Sequence, residues 1–214
     1  MNAIIAKAIS WAESGLMPDT VIRAGIRSLL ETKCKEIHSG DVEYAAKATN
    51  RFVAMMNKSP IALLSEIANE QHYEVPADFF GQVMGDHLKY SCCYWPDNAS
   101  NLSEAEVAAL ELSVKRAGIE DGMQVLDLGC GWGSLSLWIA EHFPNGFITS
   151  VSNSASQREF ILKKASERSI QNIEVIVCDM NDFTTDKQFN RVVSIEMFEH
   201  MHNYGELFRR INDW

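Results

Sequence analysis

The chain has 214 residues, 46% of apolar and 22% of charged types. That is ordinary globular composition, and it argues against a disordered chain or a collagen-like repeat. Nineteen basic against 29 acidic side chains leave a net charge of −10. Residues 1–72 are balanced, so residues 73–214 carry the whole surplus. An acidic module repels phosphate backbones, so nucleic acid is not an expected partner, whereas cationic ligands are compatible.

No apolar run approaches the roughly 18 residues of a membrane-spanning helix. The first residues lack the basic-then-apolar order of a secretion signal, so a cytoplasmic location is expected. Cys34, Cys92, Cys93, Cys130 and Cys178 form no C-x-x-C pair. No Cys/His cluster has zinc spacing, so a reduced chain without a metal site is expected.

In chain order, the first third reads as helices. Ile22, Ile26, Leu29 and Leu30 share a face of a segment opening near Pro18-Asp19, and Val42, Ala45, Ala46, Phe52 and Val53 suggest a second helix. Ser59-Pro60 has the form of a cap and first turn, predicting a third helix with Ile61, Leu64, Ile67 and Ala68 inward. Such a block suits a helical cap or an oligomer contact. Residues 70–100 are dense in aromatics and turn formers without periodicity, which fits either a loop over a site or core filler.

From Ser103 the pattern changes. Ser103 and Glu106 read as a capping box, followed by a helical stripe of Val107, Leu110, Val114 and Ala117. Met123–Leu128, Phe147–Val151, Ile173–Cys178 and Arg191–Ile195 read as strands. Ser134–His142, Ser154–Arg168 (with Phe160, Ile161 and Ala165 inward) and a segment from Asn203 read as the helices between and after them. This alternation predicts an α/β fold with a parallel, doubly wound sheet. Four strands fall short of the usual six or so, so the expectation is an N-terminal portion of a longer protein. The expected division is a helical region over 1–72 and a ligand-binding α/β domain over 73–214.

Asp127-Leu-Gly129-Cys-Gly131-Trp-Gly133 joins the first of these strands to its helix. Glycines at a strand's carboxyl end let the chain turn tightly and leave room for a ligand against the main chain. The third glycine comes one residue too early for a dinucleotide fingerprint, and no Gly-Lys-Ser/Thr follows. An acidic residue without a phosphate cradle suits a ligand bearing an ammonium and a sulfonium. Glu196-Met-Phe-Glu199-His200 follows the fourth strand, at the sheet edge where open α/β folds place their ligands. Three ionisable groups there could serve as base and cation binder.

Three blocks carry a resemblance: 72–76 through Tyr90-Ser91-Cys92-Cys93-Tyr94-Trp95, then Val125–Leu135, then Ser194–Met201. The sequence resembles the cyclopropane-fatty-acid-synthase-like class I methyltransferases, and within them the coclaurine N-methyltransferase branch. Ser152–Gln157 matches that branch too, and Gly15–Asp19 does so more weakly. The resemblance covers nearly the whole chain but about two thirds of a member's length.

It implies a Rossmann-like methyltransferase domain and S-adenosyl-L-methionine as cofactor. It implies that Tyr90 and Ser91 close over the cofactor's methionine end and that Asp127, Gly129, Gly131 and Gly133 form its floor. Ser152, Asn153 and Gln157 stand where most such folds carry an acidic ribose ligand, and Asp179 and Met180 would flank the adenine. Glu196, Glu199 and His200 would be catalytic, with His200 and Glu199 as base and Glu196 orienting an amine. Cys92 is open between packing and a bicarbonate-holding role. The expected function is N-methylation of a small-molecule amine by direct displacement. The alternatives are modification of a lipid acyl chain and a truncated form that is catalytically inactive.

Overall fold

The computed structural model describes residues 3–37, 40–63 and 77–214. The chain divides into two compact units, Met1–Met55 and Met56–Trp214. The first holds α1 (Ala3–Glu13), α2 (Asp19–Ile37) and most of α3 (Val42–Met56). Neither α2 nor α3 buries a residue. The apolar stripe expected on α2 is there as a stripe, but Ile26, Leu29 and Leu30 stand exposed.

The second unit is an α/β sandwich. After α4 (Ala77–Val83) and α5 (Leu102–Ala117) come β1 (Gln124–Leu128), α6 (Ser134–His142), β2 (Phe147–Ser152), α7 (Ala155–Glu167), β3 (Ile173–Val177) and β4 (Arg191–Val193). A 3₁₀ turn (Phe198–His200) and α8 (Tyr204–Asp213) complete it. The strands are parallel in the order β3-β2-β1-β4. β1 is therefore central, with Asp127 level with Ser150 of β2 and Val193 of β4.

Successive residues of a strand point to opposite faces, and β1 shows the result. Val125 packs into one core with Leu110 and Val114 of α5 and Leu135, Trp138 and Ile139 of α6. Leu126 and Leu128 pack into another with Val151, Met180, Phe183, Leu207 and Trp214. Helices thus cover both faces, which is the doubly wound arrangement the alternating sequence predicts.

Two local expectations fail. Ser59-Pro60 does not begin a helix: Ile61 lies at a bend, Ala62 forms an antiparallel bridge with Met201, and both are buried. The Asn181 side chain completes the pairing, accepting from Ala62 N at 3.0 Å and donating to Ala62 O at 3.0 Å. His202 N donates to Ile61 O at 2.7 Å. These partners satisfy the backbone outside a helix, so tertiary pairing overrides the local helix signal at 59–62. Leu64, Ile67 and Ala68 of that expected helix, and residues 72–76, lie outside the described residues.

The second failure is the capping box. Asn101 caps α5, accepting from Glu104 N at 3.0 Å, and Ser103 lies inside the helix. Glu106 is wholly buried and accepts three backbone N–H bonds: Gly85 at 2.9 Å, His87 at 2.9 Å and Lys89 at 3.1 Å. It serves the preceding loop rather than its own helix end.

Candidate active site

At the carboxyl ends of the strands the second unit encloses a cavity of about 310 Å³. Its floor is the glycine bend after β1. Gly129, Gly131 and Gly133 all have positive φ (77°, 54° and 80°), a region that L side chains avoid. A Cβ at Gly129 would lie 2.8 Å from Cβ and Cγ of Met197, whereas one at Gly131 would meet nothing within 4 Å. Gly131 therefore opens on the cavity and Gly129 admits the chain after β4. Gly133 does not line the cavity: a Cβ there would lie 2.6 Å from Ile161 Cγ1, so this glycine lets α6 and α7 approach. Gly129→Ala should destabilise the chain by roughly 2–3 kcal/mol, combining left-handed strain with displacement of Met197; urea unfolding of the variant checks this.

Asp127 also borders the cavity yet is 2% exposed. Its Oδ2 accepts from Ser136 Oγ at 2.6 Å, and Ser150 Oγ donates to Ser136 Oγ at 2.8 Å. Burial raises its pKa to about 6, only partly offset by the Ser136 hydrogen bond.

The wall after β2 is Ser152, Asn153 and Gln157. Ser154 caps α7, and Ser152 Oγ donates to Gln157 Oε1 at 2.6 Å, which fixes that amide at the cavity edge. After β3, Asp179 and Met180 line the cavity. Asp179 Oδ1 accepts from Asn181 N at 2.7 Å, and Arg210 holds the carbonyls of Met180, Asn181 and Phe183 from outside.

The remaining wall carries the ionisable run. Glu196, Glu199 and His200 all border the cavity and are exposed to it. Glu196 is not part of a common helical turn with the other two: it has φ 52° and precedes the 3₁₀ turn that presents Glu199 and His200. Glu196 Oε1 accepts from Cys92 N at 3.2 Å. Hydrogen bonding from the Cys92 thiol, then from its N–H, holds Glu196 below the ordinary carboxylate range against partial burial. Tyr90 and Ser91 face the same space from the loop before Cys92, and Phe80 packs edge-on against Tyr90 at 5.3 Å.

Every site residue expected from the sequence except Gly133 thus meets at one cavity. Sequence reasoning missed Lys89, Glu106 and Asn181. For Glu106 a signal existed: it stands four residues before Leu110, so it is a charge on the inward face of α5.

Residues 64–214 match the family described as CMAS, mycolic acid cyclopropane synthetase. The chain belongs to this family. A curated relative, the (S)-coclaurine N-methyltransferase of Thalictrum flavum subsp. glaucum, is 38% identical over 217 residues, covering 100% of this chain and 59% of the relative. A solved coclaurine N-methyltransferase bound to N-methylheliamine and SAH superposes with TM-score 0.86 and 36% identity, covering 99% of this chain and 61% of that one. A mycolic acid cyclopropane synthase complexed with SAH and CTAB gives TM-score 0.57 and 28% identity, covering 64% and 48%. The mycolic acid cyclopropane synthetase match and these likenesses agree on a class I methyltransferase fold. This family member spans about three fifths of the length of the curated relative.

Proposed function

We propose that this chain forms the cofactor-binding and base-bearing part of an S-adenosyl-L-methionine-dependent methyltransferase acting on a small-molecule amine. The observation that carries the reading is one cavity bordered by four carboxylates, Asp127, Asp179, Glu196 and Glu199, beside the His200 imidazole. Such a lining suits a cationic donor and an amine acceptor. The open space at Gly131 fits close approach of a ligand to the main chain. When bound, the cofactor supplies a methyl group already activated on a sulfonium sulfur.

The chain's own residues then have limited tasks. Asp127, Gly129 and Gly131 form the floor, with Ser152, Asn153 and Gln157 on one side and Asp179 and Met180 on the next. Tyr90 and Ser91 close the methionine end. The acceptor amine must be neutral to attack, because an ammonium has no lone pair. His200 with Glu199 takes the amine proton, and Glu196, fixed by Cys92, orients the amine. The N-methyltransferase relatives support the amine over a lipid acyl chain, as does the acidic surface of residues 73–214, which does not favour anionic membranes.

The test is titration of the chain with SAH, then incubation with labelled S-adenosyl-L-methionine and a panel of secondary amines or phospholipid vesicles. Label on the amines supports the reading, and His200→Ala then lowers kcat about 100-fold with SAH affinity unchanged. Transfer to lipids alone rejects the amine. Binding without turnover of any acceptor assigns catalysis to more than these 214 residues.

A further inference from the structure

Lys89 borders the cavity, and its charge helps to lower the Glu196 pKa without a salt bridge between the two. It is 8% exposed. Its Nζ donates to Ser91 Oγ at 2.6 Å and to the Cys92 carbonyl at 2.7 Å, both neutral acceptors. Among the described residues it forms no ion pair, and no other lysine or arginine borders the cavity. The nearby carboxylates are committed elsewhere: Glu106 to three backbone N–H groups, Glu196 to Cys92. Burying an ammonium is costly unless an anion meets it. The group has three donors, and two are spent.

We propose that Lys89, with Ser91 beside it, binds the α-carboxylate of the cofactor's amino-acid end. The assignment rests on the S-adenosyl-L-methionine reading and sharpens it. The carboxylates of the cavity meet the cationic groups of that ligand, and Lys89 meets its single anion. Recognition by an ammonium is charge-assisted, and it also distinguishes the amino-acid end from a neutral thioether. Ser91 is held in place by the same ammonium, so the loop and the ligand carboxylate are positioned by one group.

Calorimetric titration without any acceptor tests this, using SAH, its α-carboxamide and 5′-methylthioadenosine, which lacks the amino-acid end. The wild-type chain should bind SAH about 10- to 100-fold more tightly than the carboxamide. Lys89→Met should lose that factor on SAH and little on the other two ligands, and Lys89→Gln should behave alike. An equal loss on all three ligands, or none on SAH, overturns the assignment. Should neither variant fold, the wild-type comparison decides, because equal affinity for SAH and carboxamide overturns it. Absence of any SAH binding removes the cofactor reading itself, and the Lys89 assignment with it.

Discussion

Glu106→Ala should lower the unfolding free energy by about 4 kcal/mol, because it removes the only acceptor described for three loop N–H groups. The side chain is wholly buried, so the alanine variant leaves a cavity as well as orphaned donors. Glu106→Gln should cost less, roughly 2 kcal/mol. Its one carbonyl oxygen can still serve Gly85 and Lys89, which share Oε1, but its amide group would face the His87 N–H. Gly85→Ala inflicts the same lesion from the other side, since its Cβ would lie 2.6 Å from Glu106 Oε2. The double variant should therefore fall short of the sum of the singles. Urea unfolding gives the energies, and hydrogen exchange at the amides of Gly85, His87 and Lys89 locates the damage. The freed loop carries Tyr90 and Ser91, so SAH affinity should fall along with stability.

The second large effect depends on pH. Burial holds Asp127 at a pKa of about 6 against an ordinary 3.8. Between those values the folded chain keeps a proton that the unfolded chain has lost. The stability from this group is thus fully present below pH 4 and is lost as pH rises through 6, a loss of about 3 kcal/mol. In the Asp127→Asn variant the amide oxygen would accept from Ser136 as the carboxyl group does, but the side chain cannot ionise. This variant should match wild type near pH 4 and exceed it by up to about 3 kcal/mol at pH 8. Denaturant titrations of both proteins across that range check the divergence. On the proposed reading this carboxylate meets a cationic group of the ligand, so SAH should raise the melting temperature of wild type more than that of the variant. A variant no more stable at pH 8 than at pH 4, relative to wild type, contradicts the account.

Legibility in the sequence followed the range of the interactions. The glycine bend was readable because positive φ at three positions leaves a signature in residue type. The sheet was readable because strands buried on both faces are short apolar runs between helical stripes. The Glu196–His200 run was placed at the cavity from topology alone, although its backbone was not foreseen: Glu196 sits at φ 52°, outside the turn. The failures all involve distant partners. Ser59-Pro60 carries a sound helix signal, which Asn181 and Met201 override. Glu106 satisfies the spacing of a capping box, but its oxygens turn to a loop some twenty residues earlier. Lys89 has no local mark, because a buried lysine is defined only by what surrounds it.

The strap formed by Ile61 and Ala62 has a consequence for how the chain acquires its structure. Ala62 lies 119 residues from Asn181 in sequence, and farther still from Met201. Contacts of such separation form late, since the intervening chain must be closed first. During synthesis this segment has its full docking surface only once the turn after β4 has emerged, so it remains open to proteases while the sheet assembles. Completion of the cavity is therefore a terminal event of folding, not an early one.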